Sequence, residues 1–323
     1  MKELKEIRFN EKDIYLQDNL VKGSILPEKV AELNRNIIFE SNNVVEGPVF
    51  AHRIEVRSGD LEIKGSVFSQ LELYVNSEAK GEVSFRKCVG SANSVVSRAN
   101  NCKVTFHGDI NAKEVTLYNA FVAGSIYADE VVLENCTVIG GVFATHGIEL
   151  KNSIVGTFNT PSIHIADSVG LLLPSAFSIE KMVAAPGSKL YNLALADLGA
   201  LYRGMPQSEH SGKIEMDIET DELKTSLADS QIQKTLRSYT VIGKVLATDL
   251  MDTDKFQNHF LLTAAALGTQ LLKTYDLGLD KDGKPSLLTI EKIRDFFFGI
   301  LSGKITVQPI DGSFNISHIT GKM

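Results

Sequence analysis

Histidines, cysteines and acidic side chains are the groups in this chain that could do chemistry, and their spacing decides whether they do. His52, His107, His146 and His164 fall at different phases of the repeat described below, so their imidazoles do not stack into a metal-binding column. Cys88, Cys102 and Cys136 are the only cysteines. They are odd in number and lack metal-ligand spacing, which reads as free thiols in a reducing compartment. Asp280-Lys281-Asp282-Gly283 carries part of a calcium loop. Counting Gly283 as the sixth position puts Gly278 first and Thr289 twelfth, where ligands are required, so the segment is read as a turn before a helix. The chain contains no phosphate-binding Gly-Lys-Ser/Thr loop, no Gly-x-Gly-x-x-Gly between strand and helix, and no Gly-x-Ser-x-Gly elbow. No catalytic, cofactor-binding or metal-ligating residue is assigned on this reading, and the chain is expected not to be an enzyme.

Charge and hydropathy narrow the partners. The chain has 323 residues and a formal net charge of −7, without a basic stripe. Nucleic acid and anionic lipid, both of which are gripped by clustered Lys and Arg, are therefore disfavoured. The opening Met1-Lys2-Glu3-Leu4-Lys5-Glu6 is charged and does not read as a secretory signal. The apolar stretches around Val169–Leu173 and Phe260–Leu267 fall far short of the ~20 residues that span a bilayer. A cytoplasmic location is expected.

The elements that position these groups come from a repeat. Glycine, any residue, then an aliphatic or Phe recurs at Gly47/Val49, Gly65/Val67, Gly81/Val83, Gly108/Ile110, Gly124/Ile126, Gly140/Val142 and Gly156/Phe158. The last four glycines are spaced by 124−108, 140−124 and 156−140, sixteen each time. A fixed period of this kind marks a solenoid. Within a repeat the apolar residues come in pairs one residue apart, the alternation that points two side chains to one side of a strand. Examples are Ile110/Ala112, Val115/Leu117 and Ala120/Val122, then Ile126/Ala128, Val131/Leu133 and Cys136/Val138, then Phe158/Thr160, Ile163/Ile165 and Ser168/Gly170. After Gly140 the pair Ile148/Leu150 arrives one step late. Earlier coils read as Val49/Ala51, Ile54/Val56 and Leu61/Ile63, then Val67/Ser69 and Leu71/Leu73. Three short strands and three short corners per repeat describe a three-sided parallel β-helix, with Val49, Val67, Val83, Ile110, Ile126, Val142 and Phe158 stacked in one column.

This pattern divides the chain into a lead-in segment over 1–36, the β-helix over 37–184 and a mainly α-helical domain over 185–323. An end coil presents unpaired backbone above an apolar core, so Val49, Ile54 and Val56 are expected to form an exposed rim for self-association. From Gly81 to Gly108 the spacing is 108−81, or 27. The excess over sixteen is read as a bulging loop, with Gly90, Asn93, Arg98 and Asn100 as a surface for unidentified protein partners.

After Ala185-Pro186-Gly187-Ser188 the period changes to about 3.6. Leu190, Leu193, Ala194, Leu198 and Leu201 form one helical face. Lys213–Leu223 alternates like an exposed strand, and helices are expected over 229–250, 253–275 and 289–301. Phe296, Phe297 and Phe298 cannot all face one core. Ile305-Thr306-Val307 reads as a final strand.

The coils Gly108-Asp109-Ile110-Asn111-Ala112-Lys113-Glu114-Val115-Thr116-Leu117 and Gly124-Ser125-Ile126-Tyr127-Ala128-Asp129-Glu130-Val131-Val132-Leu133 resemble the "G-D-I-x-A-x-x-V-x-I" coil of the bactofilins, polymer-forming bacterial cytoskeletal proteins. The resemblance covers about Gly47 to Gly170. It implies a right-handed helix that assembles end to end without nucleotide and scaffolds other proteins. The large segment after the helix departs from the family and could cover one end. A structural or scaffolding protein that self-associates is thus the leading expectation. A non-polymerising binding subunit of a larger complex is the alternative. An acyltransferase-like β-helix enzyme is a second alternative, which the mixed steps of five and six residues disfavour.

Overall fold

The computed structural model describes residues 1–9, 13–28, 34–76, 78–171, 178–192, 276, 280–284, 286, 289–304 and 313–314. The chain divides into two compact units, residues 1–191 with 314–323, and residues 192–313. The first unit is a parallel β-solenoid of about nine turns.

Its strand pairings define three walls. On the first, Ile7 lies on Ile25, then Val49, Val67, Val89, Ile110, Ile126 and Val142 in unbroken register. On the second, Ile14, Ile37, Ile54, Leu73, Val95, Val115, Val131 and Ile148 follow one another. On the third, Leu4, Val21, Val45, Ile63, Phe85, Phe106, Val122 and Val138 do the same. Almost every one of these side chains from the second coil onward is under 2% exposed, and all belong to one continuous core. Phe85 and Phe106 stack inside it with centroids 5.0 Å apart.

Three expectations need correction. Residues 1–36 are not a lead-in: Lys2–Leu4, Ile7–Phe9, Ile14–Val21 and Ile25–Pro27 are strands of the solenoid, paired to the coils that follow. Val83 is not in the first-wall column, which Val89 occupies instead; Val83 sits on the third wall between Leu61 and Val104. The reason is that early turns are longer, with steps along the first wall of 49−25, 67−49, 89−67 and 110−89 residues, and their corners absorb the excess. The supposed bulge is accordingly a regular coil, with strands Val89–Ser91, Ser94–Ser97 and Asn101–Phe106 on the three walls. Smaller slips have the same origin. Leu73 and Val75 face inward where Leu71 and Leu73 were expected, and Leu71 is 43% exposed. Val169 and Leu171 are the inward-facing aliphatic pair where Ser168 and Gly170 were expected. The late arrival of Ile148 and Leu150 is present as a register shift, with Glu130 opposite Gly147.

Two corners have their own rule. Where the third wall turns into the first, Gly108, Gly124, Gly140 and Gly156 each lie on the backbone one coil earlier; a Cβ on Gly124 would stand 2.6 Å from the Gly108 carbonyl carbon, and one on Gly108 2.8 Å from the Cys88 nitrogen. Close approach, not a special φ, calls for glycine there. Where the second wall turns into the third, the backbone is left-handed at Asp18, Ser41, Gly59, Gly81, Asn119, Asn135, Asn152 and Asp167. Asn and Asp tolerate this conformation because their short side chains bond locally. Asn152 Nδ2 donates to Asn135 Oδ1 at 2.7 Å. Gly81 belongs to this second corner, with φ +99°, which is why it misleads as a marker of the first.

Ser178–Ala184 closes the expected β-helix, and Lys189–Asn192 carries strand past the expected boundary at 184, so the turn at 185–188 is another corner. The start of the helix expected from Leu190 is therefore strand. Its remainder, the strand over 213–223, the helices over 229–250 and 253–275 and the strand at 305–307 lie outside the described residues. The last expected helix is present as Ile290–Leu301, with Thr289 capping its first turn through Lys292 N–H. Ile290, Ile293, Phe296 and Phe297 are buried and Phe298 is half-buried, so the three rings do divide between faces. Ahead of it, Asp280 Oδ1 accepts from the N–H groups of Asp282 and Lys284, the turn expected there.

Candidate functional site

Two surfaces of the solenoid stand out when the site is assembled from its residues upward. The first is the N-terminal rim. Lys2–Leu4 pairs only with Ile14–Val21, Ile7–Phe9 only with Ile25–Pro27, and the front of Ile14–Val21 only with Asn36–Val45, among the described residues. The outer edges of these three strands face away from the coils. Leu4, Ile7 and Ile14 are half-buried on top of the core. Around them charge alternates: Lys2, Lys5 and Arg8 against Glu3 and Glu6. Glu6 Oε1 accepts from Ser24 Oγ at 2.7 Å and from Arg8 Nη2 at 2.8 Å, and these bonds, the Ser24 hydroxyl foremost, hold its carboxyl below the usual range.

Val49, Ile54 and Val56, expected at that rim, are fully buried instead. They lie in the third coil, with Ile25, Ile37 and Phe39 stacked before them. Once residues 2–27 are part of the tube, the rim moves to Leu4, Ile7 and Ile14.

The second surface is the outside of the first wall. Its central outward column runs Phe50, Phe68, Gly90, Asn111, Tyr127 and Phe143, each lying on the next. Phe50 is 37% exposed and Tyr127 43%. Phe50 and Phe68 have centroids 5.7 Å apart, and Tyr127 and Phe143 stack at 5.1 Å with planes inclined by 10°. This column was missed in the sequence, although aromatic residues at the outward position of four coils were its signal.

The four residues expected to form a partner loop are spread over a coil. Gly90 is on the first wall beneath the Phe68 ring. Asn93 is half-buried at the next corner, its carbonyl accepting from the N–H groups of Lys113 and Glu114. Arg98 and Asn100 are exposed at the following corner. They do not converge.

The reactive side chains are dispersed. His52 Nδ1 pairs with Gln70 Oε1 at 3.2 Å, and His107 Nε2 lies 3.0 Å from both Ser84 Oγ and Arg86 Nη1. Among the described residues no group of three His, Cys, Asp or Glu side chains is placed to hold a metal. None of the three cysteines is in a disulfide. Cys136 is wholly buried, and that burial pushes its thiol up to about 12; its Sγ donates toward the Leu117 carbonyl at 3.2 Å. A thiol so far from ionisation is a packing group, not a nucleophile.

The outward side of the third wall also departs from simple alternation. Thr105, Phe121, Thr137 and Ile154 point away from the core yet are no more than 3% exposed. The unbroken apolar runs Ala120-Phe121-Val122-Ala123 and Thr137-Val138-Ile139 were the signal, since a strand buried on both sides loses its polar alternation. No helix among the described residues is long and apolar enough to cross a membrane.

No family model, curated protein or solved structure matches the chain. The likeness to the bactofilins therefore rests on the two quoted coils alone, and function has to be argued from the surfaces just described.

Proposed function

We propose that this protein is a cytoplasmic structural scaffold that self-associates through the N-terminal rim of its β-solenoid. The observation that carries this reading is the first coil: three strands around Leu4, Ile7 and Ile14 whose outer edges pair with no other strand among the described residues. Strand edges left unpaired recruit further strands. The alternation of Lys2, Lys5 and Arg8 with Glu3 and Glu6 lets two such rims meet without net repulsion. Three thiols without a disulfide suit a reducing compartment, and the bactofilin-like coils add the precedent of end-to-end assembly. The uneven first-wall steps of 49−25, 67−49, 89−67 and 110−89 residues favour a scaffold over an acyltransferase built on a strict six-residue step.

Sedimentation velocity of the full chain across a hundredfold concentration range, with negative-stain microscopy of the same samples, tests it. The expected result is a mass that rises with concentration. Leu4→Lys combined with Ile7→Lys should abolish the rim step while the circular dichroism spectrum stays that of a β-solenoid. A single monomeric species at every concentration and salt would refute the reading.

A further inference from the structure

From the outward column of the first wall we infer a second interface, at which two copies of this chain pack wall to wall with their solenoid axes antiparallel. The inference rests on the scaffold reading above and adds a lateral contact to it.

The order of the column is symmetric. Phe50 and Phe68 are followed by Gly90 and Asn111, then by Tyr127 and Phe143. Two aromatic coils, two with little or no ring surface, two aromatic coils: the order reads the same from either end. A two-fold axis lying in the interface, level with the gap between Gly90 and Asn111, brings Phe68 of one copy opposite Tyr127 of the other and Phe50 opposite Phe143. Each contact then occurs twice, as an isologous interface requires. Gly90 faces Asn111, and the Phe68 ring that covers Gly90 brings aromatic surface to the centre of the wall.

Charge supports the same occupant. The chain carries −7 overall, so copies repel through most of their surface. Beside the rings Ser66, Gln70 and Thr145 are neutral and exposed, Asp129 is bonded to the Thr145 hydroxyl, and Asp109 and Lys113 stand either side of Asn111 with opposite sign. Counting Asp109, Lys113 and Asp129, this face carries a small share of the chain's negative charge, which makes the first wall a route of approach with weak repulsion.

Area sets the strength. The six coils of the column at ~4.8 Å give a height of roughly 29 Å, and about five residues at ~3.3 Å give a width of roughly 16 Å. That is on the order of 460 Å² per copy, or roughly 900 Å² in all, within the range of weak, transient interfaces. The dimer is therefore reversible and concentration-dependent. Packed β-sheets lie ~10 Å apart with strands roughly aligned, which allows opposed rings to interdigitate.

Cross-linking tests the geometry. In the full chain with Cys88→Ser, a sample carrying Phe68→Cys mixed with one carrying Tyr127→Cys, treated with a bismaleimide whose span matches the ~10 Å between packed sheets and mapped by peptide mass spectrometry, should give a covalent dimer joined 68 to 127. The two cysteines sit on different chains, so the link has to be intermolecular. Phe68→Cys alone should stay unlinked. Tyr127→Lys in the otherwise native chain should raise the concentration for half-dimerisation on the order of a hundredfold, since it removes two ring contacts per dimer. Links joining 68 to 68, or a dimer that Tyr127→Lys leaves intact, would overturn the wall pairing and leave the scaffold reading standing. A chain that is monomeric with and without Tyr127→Lys, and with an intact rim, would overturn both. Retention of a monomeric chain on a dextran matrix, lost in Tyr127→Lys, would give the wall to sugar and also overturn the pairing.

Discussion

Replacing Gly140 with alanine isolates the contact that sets the pitch of the tube. An added Cβ would meet Ser125 Oγ, the Gly124 carbonyl oxygen at 2.6 Å and the Gly124 carbonyl carbon at 2.8 Å. An ordinary carbon–oxygen contact needs about 3.3 Å, so the two coils have to part by roughly 0.7 Å at this corner. The ladder bond from Gly140 N–H to the Gly124 carbonyl, now 3.0 Å, then exceeds the ~3.5 Å at which a hydrogen bond is lost. Overpacking costs about 1–3 kcal/mol and the bond about 1, so a loss of roughly 3 kcal/mol is expected, a fall in Tm of about 6–12 °C. Gly147→Ala, seven residues later in the same coil, is the matched control. Its Cβ would find only the Ser162 carbonyl oxygen at 3.7 Å, so it should be neutral or stabilising by about 0.4–1 kcal/mol through the unfolded chain. Urea and thermal unfolding followed by circular dichroism measure both. Equal stabilities for the two variants would refute close backbone approach as the reason for the glycine corner.

The interior of the second wall offers a converse test. Ser97 stands between Val75 and Leu117, fully buried with its hydroxyl lacking a hydrogen-bond partner; Ser97→Val should stabilise the protein by about 1–3 kcal/mol in the same assay. Thiol labelling of the native chain at pH 8 should modify Cys88, which is half-buried, well before Cys102 or Cys136, and Cys136 should react only on unfolding, as read by mass spectrometry. Near the helix Ile290–Leu301, Lys292 and Ser286 hold the Asp276 carboxyl below the usual Asp range. A carboxyl lowered on folding stabilises above its unfolded pKa of about 3.9 and ceases to as pH falls through the lower folded value. Protection of the helix amides from exchange, corrected for intrinsic rates, should therefore drop below about pH 4 in the native chain and change less in Asp276→Asn.

The three-sided repeat was legible where the turns are shortest. From Ile110 to Phe158 the glycine corner recurs every sixteen residues, so glycine spacing and side-chain alternation agree apart from the one-residue shift before Ile148. Before Ile110 the turns lengthen, and a glycine no longer marks one particular corner: Gly81 serves the left-handed corner, while Lys87 takes the place glycine holds elsewhere, beneath Gly108. Strand pairing, fixed by inter-coil hydrogen bonds, resolves that ambiguity where spacing cannot. The first two coils escaped notice for a related reason. Ile7 and Leu4 are isolated among charged residues, and alternation over three residues carries little signal. The outward aromatic column needs the register of four separate coils before its symmetry is visible, and that register is a property of the stacked tube.

The constant step between Gly108 and Gly156 makes length a quantised property of this molecule. Excising 124–139 would splice one glycine corner onto the next with every buried column still in phase, shortening the rod by a single ~4.8 Å layer; duplicating the same sixteen residues would lengthen it equally. Such a chain can act as a molecular ruler whose graduations are set by gene duplication or deletion, without any new packing having to be invented.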